Sequence, residues 1–232
     1  MRPDITDRFR TFLAGPAREA EAVYILGDLF EAWVGDDAVG PFEQEIADSL
    51  RALTNQGTRL SFLHGNRDFL LGADYCRLCG MEMLEQPRMI DLYGTPTVVL
   101  HGDQLCTLDE QYQRYRARVS QAEWQQRMLS RPLWFRRTVA AVLRGASRLR
   151  NRNADSPEMD VVAEDVEALF RETGAARMIH GHTHRPFRHN HCVNDTLRER
   201  IVLGDWYTQG SVLTVHPDSI ELQSLRAEPS PS

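Results

Sequence analysis

The 232-residue chain has no lysine at all: its 27 basic residues are all arginine. That bias fits a GC-rich coding sequence and by itself carries no chemistry. Cysteine is scarce, four in all, which makes no disulfide framework in a chain of this size and points to a reducing compartment. No apolar run approaches the roughly 18 residues needed to cross a bilayer, which excludes an integral helical membrane protein. The opening MRPDITDRFR is charged throughout, so no signal peptide is expected. Internal repeats and low-complexity tracts are also absent.

What is present is a soluble globular composition, 42% hydrophobic and 26% charged, with a net charge of −6. The charge is uneven. Eleven Arg stand between Arg114 and Arg152 against one acid, Glu123, so the rest of the chain is strongly acidic. A general nucleic-acid binder is basic overall; here a basic module is set into an acidic body, and no nucleic-acid partner is expected.

Short apolar runs alternate with helix-period segments, the pattern of an α/β fold. Strands are expected at Val23–Leu26, Leu60–Leu63, Thr97–Leu100, Met178–Ile179, Ile201–Leu203 and Ser211–Val215. Helices are expected at Pro41–Asn55 and about Glu158–Glu172. The basic stretch between them, rich in aromatics, reads as helical to about Asn153.

The polar residues that carry chemistry fall at strand ends. Asp28, Asn66, His101 and the group His180, His182 and His184 all lie just past an apolar strand, several beside a glycine. In open α/β sheets ligands bind at that edge. Each residue alone has a plainer reading as a turn, cap or structural histidine, but those readings would have to hold at every strand end together. Alternation would put His180, His182 and His184 on one face. Oxygen and imidazole donors of this kind suit Mn²⁺, Fe²⁺ or Zn²⁺ better than Ca²⁺, and two such ions could clamp a phosphoryl group.

The strings YILGDLFEAWVGDD, HGNRDFLLG, HGDQLCTLDEQYQ and HGHTHRP, in that order, resemble the calcineurin-like metallophosphoesterases. Within them they resemble the family of diphosphatases that act on UDP-2,3-diacylglucosamine in lipid A biosynthesis. The resemblance covers nearly the whole chain. It implies a β-sandwich flanked by helices with a helical insert, or lid, and hydrolysis at the α-phosphorus with two Mn²⁺ ions, releasing UMP and 2,3-diacylglucosamine 1-phosphate. It further implies a cytoplasmic protein, peripheral on the inner face of the inner membrane, with no protein partner inferred.

Position by position, Asp28 resembles the bridging carboxylate. Asn66, His101 and His182 resemble the other ligands of one metal, and His184 a ligand of the second. Asp28, Arg67 and His101 are the implied catalytic residues. A guanidinium is never deprotonated at working pH, so Arg67 suits clamping of a diphosphate better than proton transfer; its plainer reading is an ion pair with Asp68. Asn66, Arg67, Asp109, Ser147, Asn151 and His182 match substrate-contacting positions. Ala154 stands where the family pattern has Lys.

The family begins with a strand ending in Asp-x-His, which completes the second metal site. That motif is not in this chain, whose residues 1–225 read as a single domain lacking its first strand. A start codon placed too late is the expectation, and a truncated chain the alternative. Residues 109–157 form the insert, and 226–232 a disordered tail. Two other functions remain open: another phosphoesterase on the same scaffold, or a non-catalytic nucleotide-lipid binder.

In the insert, Leu133, Trp134, Phe135, Val139, Val142 and Leu143 interleave with arginines. This suits an anionic membrane surface or a calmodulin-type partner, or simply a helix packed on the main domain with a solvated face. Cys76 and Cys79 read as packing residues on a helix, His189 and His191 as part of a polar loop, and His64 and His180 as supports for their turns.

Overall fold

A computed structural model describes residues 3–150, 160–206 and 210–225. Two layers of β-structure face each other, with helices on the outside. The first sheet is parallel, in the order β1 (Ala22–Ile25), β2 (Arg59–Phe62) and β3 (Glu82–Met83). The second has the order β4 (Arg88–Leu92), β5 (Thr95–Leu100), β6 (Arg177–His180), β8 (Thr196–Val202) and β7 (Phe187–Val193). In it β5, β6 and β8 run parallel, while β4 and β7 are antiparallel edges. A hairpin, β9 (Ser211–Val215) with β10 (Ile220–Ser224), adds to the sandwich.

Strand alternation sorts the apolar residues between layers. In β5, Val98 and Leu100 join the outer core that α7 (Ala163–Thr173) covers with Val166, Leu169 and Phe170. Val99 points the other way, with Ile179 and Ile201, into the core between the sheets, where Leu26, Leu63 and Leu84 meet them. On the first sheet, Leu60 and Phe62 face α1 (Pro3–Ala14), α2 (Pro41–Thr54) and α3 (Ala73–Cys79), through Leu13, Ile46, Leu50, Leu53 and Tyr75. Asp36 sets α3 by accepting from Gly72 N at 2.9 Å and Tyr75 N at 3.0 Å. Cys76 and Cys79 are buried in that helix as packing residues, and burial pushes each thiol up to about 12.

The basic stretch forms three helices: α4 (Glu110–Val119), α5 (Ala122–Leu129) and α6 (Leu133–Arg150). The last break falls at Pro132, which has no N–H to continue α5. His189 and His191 lie in strand β7, not in a loop. Helix α7 begins at Ala163, where the sequence pattern placed its start at about Glu158. Residues 151–159 and the tail 226–232 lie outside the described residues.

The insert is docked, not free. Trp124 and Met128 of α5 pack against the first outer core, and Phe69 meets Trp124 with ring centroids 5.7 Å apart. Arg136 of α6 is 4% exposed. Its guanidinium grips both carboxylate oxygens of Asp37 and donates to the carbonyls of Val34 and Arg131. A bidentate guanidinium–carboxylate pair fixes orientation as well as distance, so this pair is the pin at the base of α6.

The Arg136 hydrogen bonds hold the Asp37 carboxyl below its usual value. A depressed acid contributes stability that is complete above its unfolded value and lost as pH falls through the folded one. The clamp should therefore be whole at neutral pH and weaken below about pH 4. Asp37→Ala should expose the insert to limited proteolysis at pH 7 while leaving the thermal transition of the sandwich in place. Proteolysis at the wild-type rate would show that the pin holds nothing.

Candidate active site

The site is assembled where β1, β2, β5 and β6 end along one edge. After β1 the chain turns through Gly27 (φ 84°) and Asp28 (φ 55°), both left-handed. This turn lies directly on the one after β2. A methyl group on Gly65 would sit 2.2 Å from Asp28 Oδ1, and one on Gly27 would sit 2.5 Å from Gly65 N. Only hydrogen fits at either position. The two turns are tied by Asp68, fully buried, which accepts from Gly65 N and from Leu29 N, each at 2.7 Å. Burial and the neighbouring Asp28 charge push the Asp68 carboxyl up to about 7, against those two N–H donors. Asp28 Oδ1 in turn accepts from Arg67 N at 2.9 Å.

His101 stands at the centre. Its ring is 2% exposed, and its Nδ1 lies 2.8 Å from the Leu26 carbonyl. A carbonyl only accepts, so Nδ1 carries the proton and Nε2 is turned towards the cluster. Nε2 lies 3.1 Å from Asn66 Oδ1, 3.2 Å from His182 Nδ1 and 3.8 Å from Asp28 Oδ2. Burial alone would lower the His101 pKa, but Asp28, Asp103, the Leu26 carbonyl and Asp68 outweigh it and raise it. The surroundings thus favour positive charge at this ring. His182 is pushed down to about 3, chiefly by burial and then by His101, and stays neutral.

These donors fit a divalent ion. Metal–ligand bonds of about 2.0–2.2 Å place adjacent donors about 3–3.5 Å apart, close to the spacings around His101 Nε2. The set is one carboxylate, one amide oxygen and two imidazoles, the mixture that borderline ions accept. Among the described residues no three His, Cys, Asp or Glu side chains form such a cluster by themselves; the Asn66 oxygen is part of the set.

His182 and His184 reach the site by a route that strand alternation does not describe. The strand stops at His180, and both later histidines are left-handed, at φ 65° and 56°. His180 stays behind, fully buried, with Nδ1 at 2.9 Å from Gly181 O and Nε2 at 3.1 Å from Arg200 Nη1. The His184 pKa is lowered first by burial, while Asp28 and Asp205 pull it up and Arg67 pushes it down, so it shares the electrostatic neighbourhood of Asp28. Arg67 pairs with Asp28, Nε to Oδ2 at 3.4 Å, rather than with Asp68.

The sequence profile of the calcineurin-like phosphoesterases matches residues 2–186. The chain belongs to the calcineurin-like phosphoesterase family. Membership implies a divalent-metal-dependent hydrolase. Among similar proteins, the UDP-2,3-diacylglucosamine hydrolase of Shewanella loihica is 50% identical over 225 residues, 97% of this chain and 91% of that one. Those of Photobacterium profundum and Stenotrophomonas maltophilia, which carry the same name, are each 46% identical. They cover 96% and 98% of this phosphoesterase, and 91% and 94% of their own lengths.

Asn66, His182 and Asp28 are thus gathered around His101, with Arg67 on Asp28. Asp109 caps α4, with Oδ1 accepting from Tyr112 N at 2.9 Å. Ser147 lies on α6 with its side chain outside the described part, and Asn151 and Ala154 lie wholly outside the described residues. The structure adds residues that motif spacing left unassigned. Tyr112 stacks on His182, with ring centroids 6.0 Å apart, and donates to Asp103 Oδ2 at 2.6 Å. Arg116 reaches the same oxygen at 2.9 Å. Asp103 Oδ1 is buried without a hydrogen-bond partner among the described residues. The one available signal was their place inside HGD and the string after it.

In this phosphoesterase Gly65→Ala should displace the Asp28 carboxylate. Mn²⁺ affinity, read by calorimetric titration of the folded variant, should fall at least about tenfold. Unchanged affinity would refute the role given to this close approach.

Proposed function

We infer that this chain hydrolyses the diphosphate of UDP-2,3-diacylglucosamine, giving UMP and 2,3-diacylglucosamine 1-phosphate, a step of lipid A biosynthesis. Water attacks the α-phosphorus: a new P–O bond forms, and the bond from that phosphorus to the bridging oxygen breaks. The observation that carries this reading is the convergence of Asp28, Asn66, His101 and His182, with Arg67 over Asp28, in a chain that matches hydrolases of that name over nearly its full length.

Asp28, Asn66, His101 and His182 would hold one ion, and Asp28 with His184 would contribute to a second. Mn²⁺ suits this mixture of oxygen and imidazole donors. Bound there, the metal supplies Lewis acidity that activates water and offsets phosphoryl charge. Arg67 adds fixed N–H donors for the non-bridging oxygens of the diphosphate, in register because its main chain is tied to Asp28 and to Trp33 N. His101 keeps its orientation through Leu26 O. Asp109, Ser147 and Asn151 are assigned to substrate contact.

The acyl chains are assigned to the insert. Trp134 (69% exposed) and Val142 (66%) are presented on α6, with Phe135 and Leu143 also exposed, among Arg131, Arg137 and Arg144. Among the described residues no helix is long and apolar enough to cross a membrane. Peripheral docking of α6 on an anionic inner-leaflet surface, from the cytoplasm, fits an apolar helix with a cationic rim.

Asp28→Ala and His182→Ala should abolish UMP release from UDP-2,3-diacylglucosamine while preserving the circular dichroism of the folded chain, and EDTA should do the same to the wild type until Mn²⁺ is restored. Turnover near the wild-type rate in either variant would remove the metal assignment. Arg67→Ala should lower kcat by about 10²–10³-fold, the scale of a lost charge-stabilising donor. A loss confined to KM would instead make Arg67 a binding residue.

A further inference from the structure

A cavity of about 310 Å³ lies beside the loop that carries His182 and His184, lined by Asp160, Thr183, Arg185, Phe187, His189 and Arg200. Its floor is one face of the β7–β8 ladder, where Phe187 pairs with Val202 and His189 with Arg200. None of these residues is among the candidate metal-binding residues above; Arg200 braces His180 behind them.

Arg200 is only 6% exposed. Its Nε donates to His191 Nε2 at 3.2 Å and its Nη1 to His180 Nε2 at 3.1 Å. Both partners are neutral imidazoles, since a guanidinium can only donate. Among the described residues no carboxylate ion-pairs with it; Asp160, the acid that acts on it electrostatically, is engaged by Arg185 at 2.8 Å. A buried cation without a counter-charge is costly, and among the described residues its hydrogen bonds run from Nε and Nη1 to the two imidazoles and not from Nη2. Phe187 stands at the mouth with 62% of its surface exposed and its ring 4.9 Å from that of His189. A flat aromatic shelf beside a recessed, donor-only group calls for a planar ligand whose edge consists of acceptors.

Resting on the hydrolysis proposed above, we propose that this cavity seats the uracil ring of the substrate, stacked on Phe187 with the C4 carbonyl oxygen accepting from Arg200. The volume lies at the small end of ligand sites and suits one nucleoside. Thr183 stands between the two histidines of the candidate metal centre, so a base seated here lies one loop width from the phosphorus under attack. The loop's other contact, Tyr112 on His182, belongs to the insert, which leaves the nucleotide and acyl ends of the substrate on separate elements. Arg200 also sets a preference: uracil offers a carbonyl where cytosine offers an amino donor, which a guanidinium cannot meet.

The test is calorimetric titration of the full chain in EDTA, with UMP and CMP as probes, so that binding is read without metal or turnover. UMP should bind about tenfold more tightly than CMP, the scale of one buried hydrogen bond. Phe187→Ala, at an exposed position, should weaken both about tenfold, and Arg200→Gln should erase the preference. KM for UDP-2,3-diacylglucosamine should rise in step, with kcat changed far less. Equal affinity for UMP and CMP, or Phe187→Ala binding UMP as the wild type does, would overturn the proposal; if Arg200→Gln fails to fold, those two results decide it. Wild-type hydrolysis insensitive to Phe187→Ala leaves the proposed function standing without this seat. Selective UMP binding lost in Phe187→Ala, in a wild type that does not hydrolyse the diphosphate, keeps the seat and removes the function.

Discussion

The Asp68 carboxylate, fully buried between two glycine turns, is the constraint on which the rest of the site depends. By accepting from Gly65 N and Leu29 N it locks the ends of β1 and β2 so closely that neither Gly27 nor Gly65 could carry a side chain. A buried charge is costly unless its hydrogen bonds are met, and here they are met by the two segments that must be held together. That proximity presents Asp28 and Asn66 side by side. It also leaves the Leu26 carbonyl free to fix the ring of His101 from the opposite sheet. The candidate metal centre is thus a consequence of packing one turn on another.

The insert is tied to this centre at both ends of its reach. Tyr112 and Arg116 of α4 converge on Asp103, next to His101 and His182, while Arg136 of α6 grips Asp37. Asp37 neighbours Asp36, which caps α3, and Trp33 N bonds the Arg67 carbonyl. A shift of α6 would therefore be felt through a short run of hydrogen-bonded backbone at Arg67. Helix α6 thus carries exposed apolar residues along its length and, at its base, a bidentate ion pair between the buried Arg136 and the exposed Asp37.

Much of this was legible beforehand. The apolar runs ending in GD, GNRD, HGD and GHTH located the strand ends, because buried parallel strands are continuous apolar segments and the residues after them must turn. Helix α2 and strand β9 lie where periodicity placed them. The histidines after His180 were identified for the wrong geometric reason: alternation predicts one face, whereas left-handed backbone at His182 and His184 delivers them. His189 and His191 were misread because a polar edge strand has no apolar alternation to announce it. The basic stretch read as helical because arginine and leucine both favour helix, and its breaks fall at the Ser120–Gln121 junction and before Pro132.

Residue types, their order and their position after strands determined the family of chemistry, since carboxylate, amide and imidazole donors at successive strand ends follow from local sequence. Which of these donors meet, and what orients them, depended on contacts between residues far apart in the chain. Arg67 pairs with Asp28 and not with its neighbour Asp68, because Asp68 is consumed in bracing two turns. Arg200 lies buried behind His180 because β8 pairs with β6. Such choices are made by packing, where a side chain's partner is set by which surfaces exclude water together, and no local pattern records that.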